Sequence, residues 1–283
     1  MTQDLVAVTG ATGAVGGQVA RHLAERGTPL RLVVRDPARA PRLPGSDVRR
    51  AAYADAAAAR EALTGAAVLL MVSGSESADR VAQHHTFVRA AADAGVRHIV
   101  YTSFLGAGPD ATFTLGRDHW ATEERIRATG MGFTFLRDSL YLDFLPSLAG
   151  ADGVIRGPAG DGVVGAVARA DVARVAAAVL QDPAPHTGAT YDLTGREALS
   201  LAQAARVITG VTGTPTRYHP ETIEEAYASR AHYGAPGWQV DAWVSTYTAI
   251  AAGELAAVDD TVHRLTGTPA LTLAEHLAGS RAA

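Results

Sequence analysis

Three glycines, three residues apart, stand between an apolar run and a helical repeat near the start of the chain. Gly10, Gly13 and Gly16 follow Leu5–Thr9 and open into Val15–Arg26. Leu5-Val6-Ala7-Val8 shows no polar alternation, as a parallel strand covered on both faces should not. Val15, Val19 and Leu23 recur on one helical face, and Gly27 closes the helix. A glycine turn between two such elements permits φ > 0 and a close approach of backbone to ligand. The helix behind it offers free N–H groups and a partial positive charge to an anion. Gly10, Thr12, Gly13, Ala14 and Val15 are therefore expected to cradle a pyrophosphate.

The same rhythm continues downstream. Leu30–Val34, Val48–Ala52, Val68–Val72, Val96–Thr102 and Gly132–Leu136 read as strands. Asp55 reads as the N-cap of an Ala-rich helix ending at Gly65. Ser75–Ala94 and Phe113–Thr129 read as long helices. Such alternation predicts an α/β fold, a Rossmann-like doubly wound parallel sheet with helices on both faces. After Tyr141 the pattern breaks. Glycines recur from Gly150 to Gly165 and suggest a loop-rich hairpin region. Val172–Leu180 reads as a helix and Ala189–Leu193 as a strand. From Leu201 the chain is mainly helical, with Trp243 and Tyr247 on one face, read as packing. The expected domains are a dinucleotide-binding unit over 1–150 and a smaller, mainly helical lobe over 151–283, interleaved with the sheet.

Composition removes several chemistries. The 283 residues include no cysteine, and all 25 basic residues are arginines. Disulfides, thiolate metal sites, cysteine nucleophiles, Schiff bases and lysine bases are excluded. Arginine binds anions but is a poor proton relay. A net charge of -4 argues against a nucleic-acid-binding face. The longest apolar run, Ala66–Val72, is far short of the ~20 residues a membrane span needs. No basic stretch precedes an apolar one at the start. A soluble, cytoplasmic protein is expected. His84 and His85 are adjacent on a helix and point apart, so no metal is expected. Glu123-Glu124 and Glu224-Glu225 read as solvated helix faces.

The end of the second strand bears on the choice of dinucleotide. An acidic residue there would bind the ribose 2′-hydroxyl of NAD. Arg35 stands there instead, with Arg39 about a turn on, and a guanidinium suits a 2′-phosphate. Asp36 adjoins it. The reading favours NADP(H) over NAD(H). Ser73 and Gly74, ending the fourth strand, are placed where backbone passes the cofactor's phosphates and ribose.

These segments, with Val33-Val34-Arg35-Asp36-Pro37, Tyr101-Thr102-Ser103, Asp118-His119-Trp120-Ala121-Thr122-Glu123, Leu136-Arg137 with Tyr141, Ala159-Gly160-Asp161-Gly162 and Arg169-Ala170-Asp171-Val172-Ala173, resemble the NmrA-like atypical short-chain dehydrogenases. Within that family the likeness is to the NAD(P)H:quinone oxidoreductase type 2 and triphenylmethane reductase branch, and it covers essentially the whole chain. The resemblance implies a Rossmann-like domain with a small lobe, and a cleft for an aromatic or quinonoid substrate.

The Tyr-x-x-x-Lys pair of typical short-chain dehydrogenases cannot exist without lysine. Hydride transfer to a quinone needs it less, because the aromatic oxyanion formed is already stabilised. Ser103, at a strand end, is a candidate to hydrogen-bond a substrate oxygen. His119 lies near where related reductases carry a catalytic lysine and titrates near neutrality. Tyr141 is a candidate to face the nicotinamide. The leading expectation is an NADPH-dependent reductase of quinones or related planar aromatics. Two alternatives stay open: a tailoring enzyme of secondary metabolism acting on a polyketide-like substrate, and a non-catalytic NADP-binding redox sensor. A homodimer is left open too.

Overall fold

The structure, a computed structural model, describes residues 4–282. The chain runs β1 (Val6–Thr9), α1 (Ala14–Glu25), β2 (Leu30–Val34), β3 (Ser46–Arg50), α2 (Ala56–Leu63), β4 (Val68–Met71), α3 (Arg80–Asp93), β5 (His98–Phe104), α4 (Thr114–Arg127) and β6 (Gly132–Asp138). It continues through β7 (Val154–Gly157), β8 (Val163–Val164), α5 (Arg169–Gln181), β9 (Ala189–Leu193), β10 (Leu199–Ser200), α6 (Leu201–Thr212) and β11 (Arg217–Pro220). It ends with α7 (Ile223–Arg230), α8 (Gly237–Ala251), α9 (Thr261–Thr266) and α10 (Leu273–Ala282).

Seven strands form one sheet in the order β3-β2-β1-β4-β5-β6-β9. Val8 of β1 stands opposite Leu32 of β2 and Leu70 of β4, all parallel. β9 runs the same way as β6, since Gly188 N donates to Phe133 O and Ser139 N to Leu193 O. The order reverses between β1 and β4, and in doubly wound sheets ligands bind beyond the carboxyl ends of the strands at that point. The glycine segment leaves β1 there, and Ser73-Gly74 leave β4 there.

Two compact units divide the chain. The first holds the residues up to Ser103, Asp118–Arg137 and Val172–Tyr191. Its core packs Leu69, Met71, Phe87, Ile99, Tyr101 and Phe135 between sheet and helices. The second holds Phe104–Arg117, Asp138–Asp171 and the residues from Asp192 onward. Leu105, Leu145, Ile155, Leu201, Tyr247 and Leu273 are in its core. A single boundary at residue 150 therefore does not describe the chain. Residues 172–191 return to the first unit because β9 must pair beside β6.

Local expectations hold where the signal is local. The Asp55 carboxylate accepts from Ala58 N at 3.0 Å and caps α2, a bond of about 1 kcal/mol. Two expectations change. A tight antiparallel turn does follow Ala149, which bridges Ile155 while Gly150 N donates to Val154 O, but the strands there pair elsewhere: β7 with β11 in parallel, and β8 with β10 antiparallel. Helix α3 starts at Arg80, not Ser75, because the chain turns first, with Arg80 N bonded to Ser77 O.

Candidate functional site

Each glycine of the loop has its own reason. Gly10 has φ +64°, and a Cβ there would sit 3.0 Å from Val72 Cβ. Gly16 lets α1 close on β1: a Cβ would stand 2.5 Å from Gly10 O and 2.6 Å from Thr9 O. Gly13 is the N-cap of α1 at an ordinary φ of -101°, and no side chain caps the helix. Thr12, Gly13 and Ala14 are exposed, whereas Val15 is buried. The first N–H groups of any α-helix have no intrahelical acceptor, so this end of α1 is open to an anion.

Arg35 follows β2 directly, is exposed, and forms no ion pair among the described residues. The adjacent Asp36 carboxylate is occupied, accepting from Ala38 N at 3.1 Å to cap a short 3₁₀ turn.

The strip after β4 is pinned from beneath. Val72 N donates to Thr9 Oγ1 at 2.9 Å, Ser73 N to Thr102 Oγ1 at 2.8 Å, and Gly74 N to His84 Nε2 at 2.9 Å. The Tyr53 hydroxyl donates to Val72 O at 2.5 Å. Arg80 Nε donates to Gly74 O at 3.0 Å. Three successive amides thus point inward, and Ser73 and Gly74 present their half-exposed outer side.

Behind the strip lies a buried polar layer that sequence reasoning missed. Arg80, 4% exposed, donates from Nη2 to His119 Nε2 at 3.0 Å and from Nη1 to Asp118 Oδ2 at 3.4 Å. His119 Nδ1 lies 3.0 Å from the Tyr101 hydroxyl. His84 Nδ1 reaches Thr122 Oγ1 at 2.9 Å. With Nε2 accepting in both rings, Nδ1 carries the proton in both. Burial holds the His119 imidazole well below its ordinary pKa, with Arg80 adding repulsion. Burial, then Arg80, brings His84 down to about 3. The α3 and α4 partners lie 38 or 39 residues apart in sequence, and Tyr101 of β5 lies 18 from His119, so local spacing carries no sign of them.

Ser103 is 3% exposed, and its hydroxyl donates to Glu123 Oε1 at 2.6 Å. Glu123 is fully buried, contrary to the solvated face expected of it. Arg137 of β6 answers it twice, at 2.9 and 2.7 Å, and Arg127 once at 3.3 Å. Removing one partner of such a pair typically destabilises by about 3–5 kcal/mol. Glu224 and Glu225 are exposed as expected, Glu225 closing a capping box with Thr222.

In the second unit Tyr141 is half-buried, and its hydroxyl donates to Asp138 Oδ2 at 2.7 Å. Burial, then Asp138, holds the Tyr141 phenol well above its ordinary pKa.

The buried histidines set an acid limit on stability. His84, His98 and His119 all have folded pKa values below 6.5. The unfolded chain therefore takes up more protons as pH falls below 6.5. Stability is full above that point and declines toward the folded values, by about 1.4 kcal/mol per pH unit for each histidine that stays neutral. Asp138 acts in the opposite sense. Its pKa is raised by burial from 3.8 to about 8, so its contribution fades as pH rises between those values. It offsets one histidine. The melting temperature is expected to fall on acidification from about pH 6.5 to about pH 4; thermal scans giving a flat or rising trend there contradict the assignment.

The sequence model of a family described as NAD(P)H-binding matches residues 10–183. The chain belongs to this family. Quinone oxidoreductase 2 of Escherichia coli (strain K12) is 35% identical over 278 residues, with 96% of each chain covered. The crystal structure of that NADPH-dependent enzyme complexed with NADPH matches with a TM-score of 0.87, covering 98% of this chain and 99% of the other. An NAD(P)H azoreductase of Xenophilus azovorans is 33% identical over 276 residues, 96% of each chain. The structure of Citrobacter sp. triphenylmethane reductase complexed with NADP(H) is 32% identical with a TM-score of 0.85, covering 97% and 99%.

The residues of this NAD(P)H-binding chain fit the dinucleotide. The space a Cβ would fill at Gly16 is taken by the Gly10 and Thr9 carbonyls. That close approach brings the open end of α1 to the carboxyl edge of β1. Arg35 adds an exposed cation at the neighbouring strand end. Among the described residues no helix is long and apolar enough to cross a membrane.

Proposed function

We propose that this chain is an NADPH-dependent reductase that passes hydride to a quinone or related planar aromatic acceptor. The observation that carries the reading is the dinucleotide cradle on a chain similar over nearly its whole length to a quinone oxidoreductase and an azoreductase. The absence of lysine supports it, since the tyrosine–lysine acid of carbonyl reductases has no counterpart. A bound reduced nicotinamide supplies the hydride. Gly10, Thr12, Gly13, Ala14 and Val15 hold the pyrophosphate against α1. Arg35 pairs with the 2′-phosphate, and Ser73 and Gly74 form the cofactor's wall.

Ser103 and His119, both in the first unit, support the acceptor end of the bound cofactor. The Ser103 proton is committed to Glu123, and both His119 nitrogens are committed within the protein. These two are positioning residues. Tyr141 is half-buried, and its proton too is given within the protein, to Asp138 Oδ2 at 2.7 Å. The direct test is NADPH consumption on adding menadione to the purified protein. A protein that binds NADPH but consumes none with menadione or a related quinone would overturn the reading.

The cofactor choice has its own test. Arg35→Ala removes a charge-assisted hydrogen bond of about 1.5–3 kcal/mol. The Kd for NADPH is expected to rise more than about tenfold, as that energy implies, with the Kd for NADH little changed. Equal losses would make Arg35 structural.

A further inference from the structure

Val72 joins the two segments of the first unit that face the cofactor. It leads directly into Ser73 and Gly74, and a Cβ on Gly10 would sit 3.0 Å from the Val72 Cβ. The glycine loop thus leans on Val72, and a shift of Val72 moves loop and wall together. The residue lies beyond both ladders of β4, which end at Leu70 opposite Val8 and at Met71 opposite Tyr101. Thr9 still pairs with Val33 of β2, so β1 keeps one neighbour while it parts from the other. Strands that part leave N–H and C=O groups that need other partners. At Val72 side chains take both. Its N–H donates to Oγ1 of the buried Thr9 at 2.9 Å, and its carbonyl accepts the Tyr53 hydroxyl at 2.5 Å. The two side chains meet at 2.7 Å, and Thr9 Oγ1 also donates to Leu70 O at 3.2 Å. These contacts stand in for the rungs that the parted strands lack.

Tyr53 is built for this place. Its ring stacks on the fully buried Phe87, with centroids 4.3 Å apart and planes 29° apart. On the other side, a Cβ on Gly74 would meet Tyr53 Cδ2 at 3.6 Å. The hydroxyl is therefore carried on a ring held between the core and the wall. Burial keeps the phenol well above its ordinary pKa, against the pull of Thr9, Arg80 and Arg35. The proton given to Val72 O is present throughout the neutral range. We infer that Tyr53, acting with Thr9, is a positioning residue that fixes the separation of the glycine loop from the Ser73-Gly74 wall and so sets the affinity for the whole dinucleotide. The inference rests on the placement of the cofactor in the reductase reading above. Its effect passes through Val72, on a surface that NADPH and NADH share. In this it differs from Arg35, which answers to the 2′-phosphate alone.

The test is fluorescence titration of the full chain with NADPH and with NADH, well below its melting temperature. Tyr53→Phe deletes the hydroxyl and keeps the ring on Phe87. The Kd values for NADPH and NADH are each expected to rise about tenfold, near the upper end of what one hydrogen bond is worth. Thr9→Val should do the same, and Thr9→Ser, which keeps the hydroxyl, should bind as the parent does. Because both residues act on Val72, the double variant Thr9→Val/Tyr53→Phe should bind little worse than the weaker-binding single variant. Ile126→Val, in the same core, should lower the melting temperature and leave both Kd values unchanged. An unchanged Kd in Tyr53→Phe, a loss confined to NADPH, effects that multiply in the double variant, or an equal loss in Ile126→Val would each overturn the role. The reductase reading would survive these results, since it needs only that the parent binds and consumes NADPH. A parent that binds neither nucleotide would overturn both.

Discussion

Gly13→Val is expected to abolish NADPH binding while the unliganded protein keeps its circular dichroism and melting temperature. Gly13 caps α1 at φ -101°, a conformation valine adopts without strain. It is exposed, and an added Cβ would meet only Gly10 O, at 3.3 Å. The fold takes the side chain with a shift of a few tenths of an ångström at the Gly10 carbonyl. The ligand does not, because the two γ-methyls stand over the N–H groups that face the pyrophosphate. Gly16→Ala reverses the outcome. Its Cβ would stand 2.5 Å from Gly10 O, and the helix must move away from β1. Overpacking of that kind typically costs about 1–3 kcal/mol. Fluorescence titration with NADPH, beside thermal melts of both variants, separates the two roles. Normal NADPH affinity in Gly13→Val would show that the loop is not the phosphate cradle.

That contrast shows why the loop was legible in the sequence. A turn, a helix start and a close approach are local demands, and only glycine meets all of them. The Asp55 cap was legible for the same reason, its partner lying three residues away. The hydrophobic runs gave the sheet, because strands covered on both faces need continuous apolar sequence. β7 and β8 read only as part of a loop-rich hairpin region because their partners, β11 and β10, lie far along the chain. Glycine density announces turns but does not say what pairs across them.

The polar groups beneath the site were hidden by a different cause. Glu123 beside Glu124 reads as a solvated pair on a helix. Its neutralising partner, Arg137, arrives on the next strand, 14 residues later. His84 reads only as one of two adjacent helix histidines that point apart until Gly74 N and Thr122 are brought to its two nitrogens. A buried polar residue is tolerable only when its partners are present, and those partners are set by the tertiary fold. His119 was legible as a residue of the site region. Its buried, doubly bonded state was not.

Arg80→Met should be the most destabilising single change beneath the cofactor wall. The guanidinium is buried and makes three contacts, to Gly74 O, His119 Nε2 and Asp118 Oδ2. Methionine fills much of the volume and supplies no donor. Gly74 O and His119 Nε2 each lose a donor, and Asp118 loses its charge partner. Breaking a buried charged set from one side costs about 3–5 kcal/mol. For a chain of this size that lowers the melting temperature by on the order of 10 °C. The Gly74 carbonyl is then free to swing, so NADPH affinity should fall as well. Arg80→Lys should be intermediate, since an ammonium keeps the charge but cannot match the planar fork. The pH dependence separates this cause from simple loss of packing. Desolvation is the main reason that His119 stays neutral, and Arg80 repulsion is the next. Without Arg80 the folded pKa of His119 rises toward its unfolded value. The variant then loses less stability than the parent as pH falls below 6.5, and the gap between their melting temperatures narrows in acid. A variant melting within a degree or so of the parent, or a gap that widens in acid, would show that Arg80 does not hold this layer together.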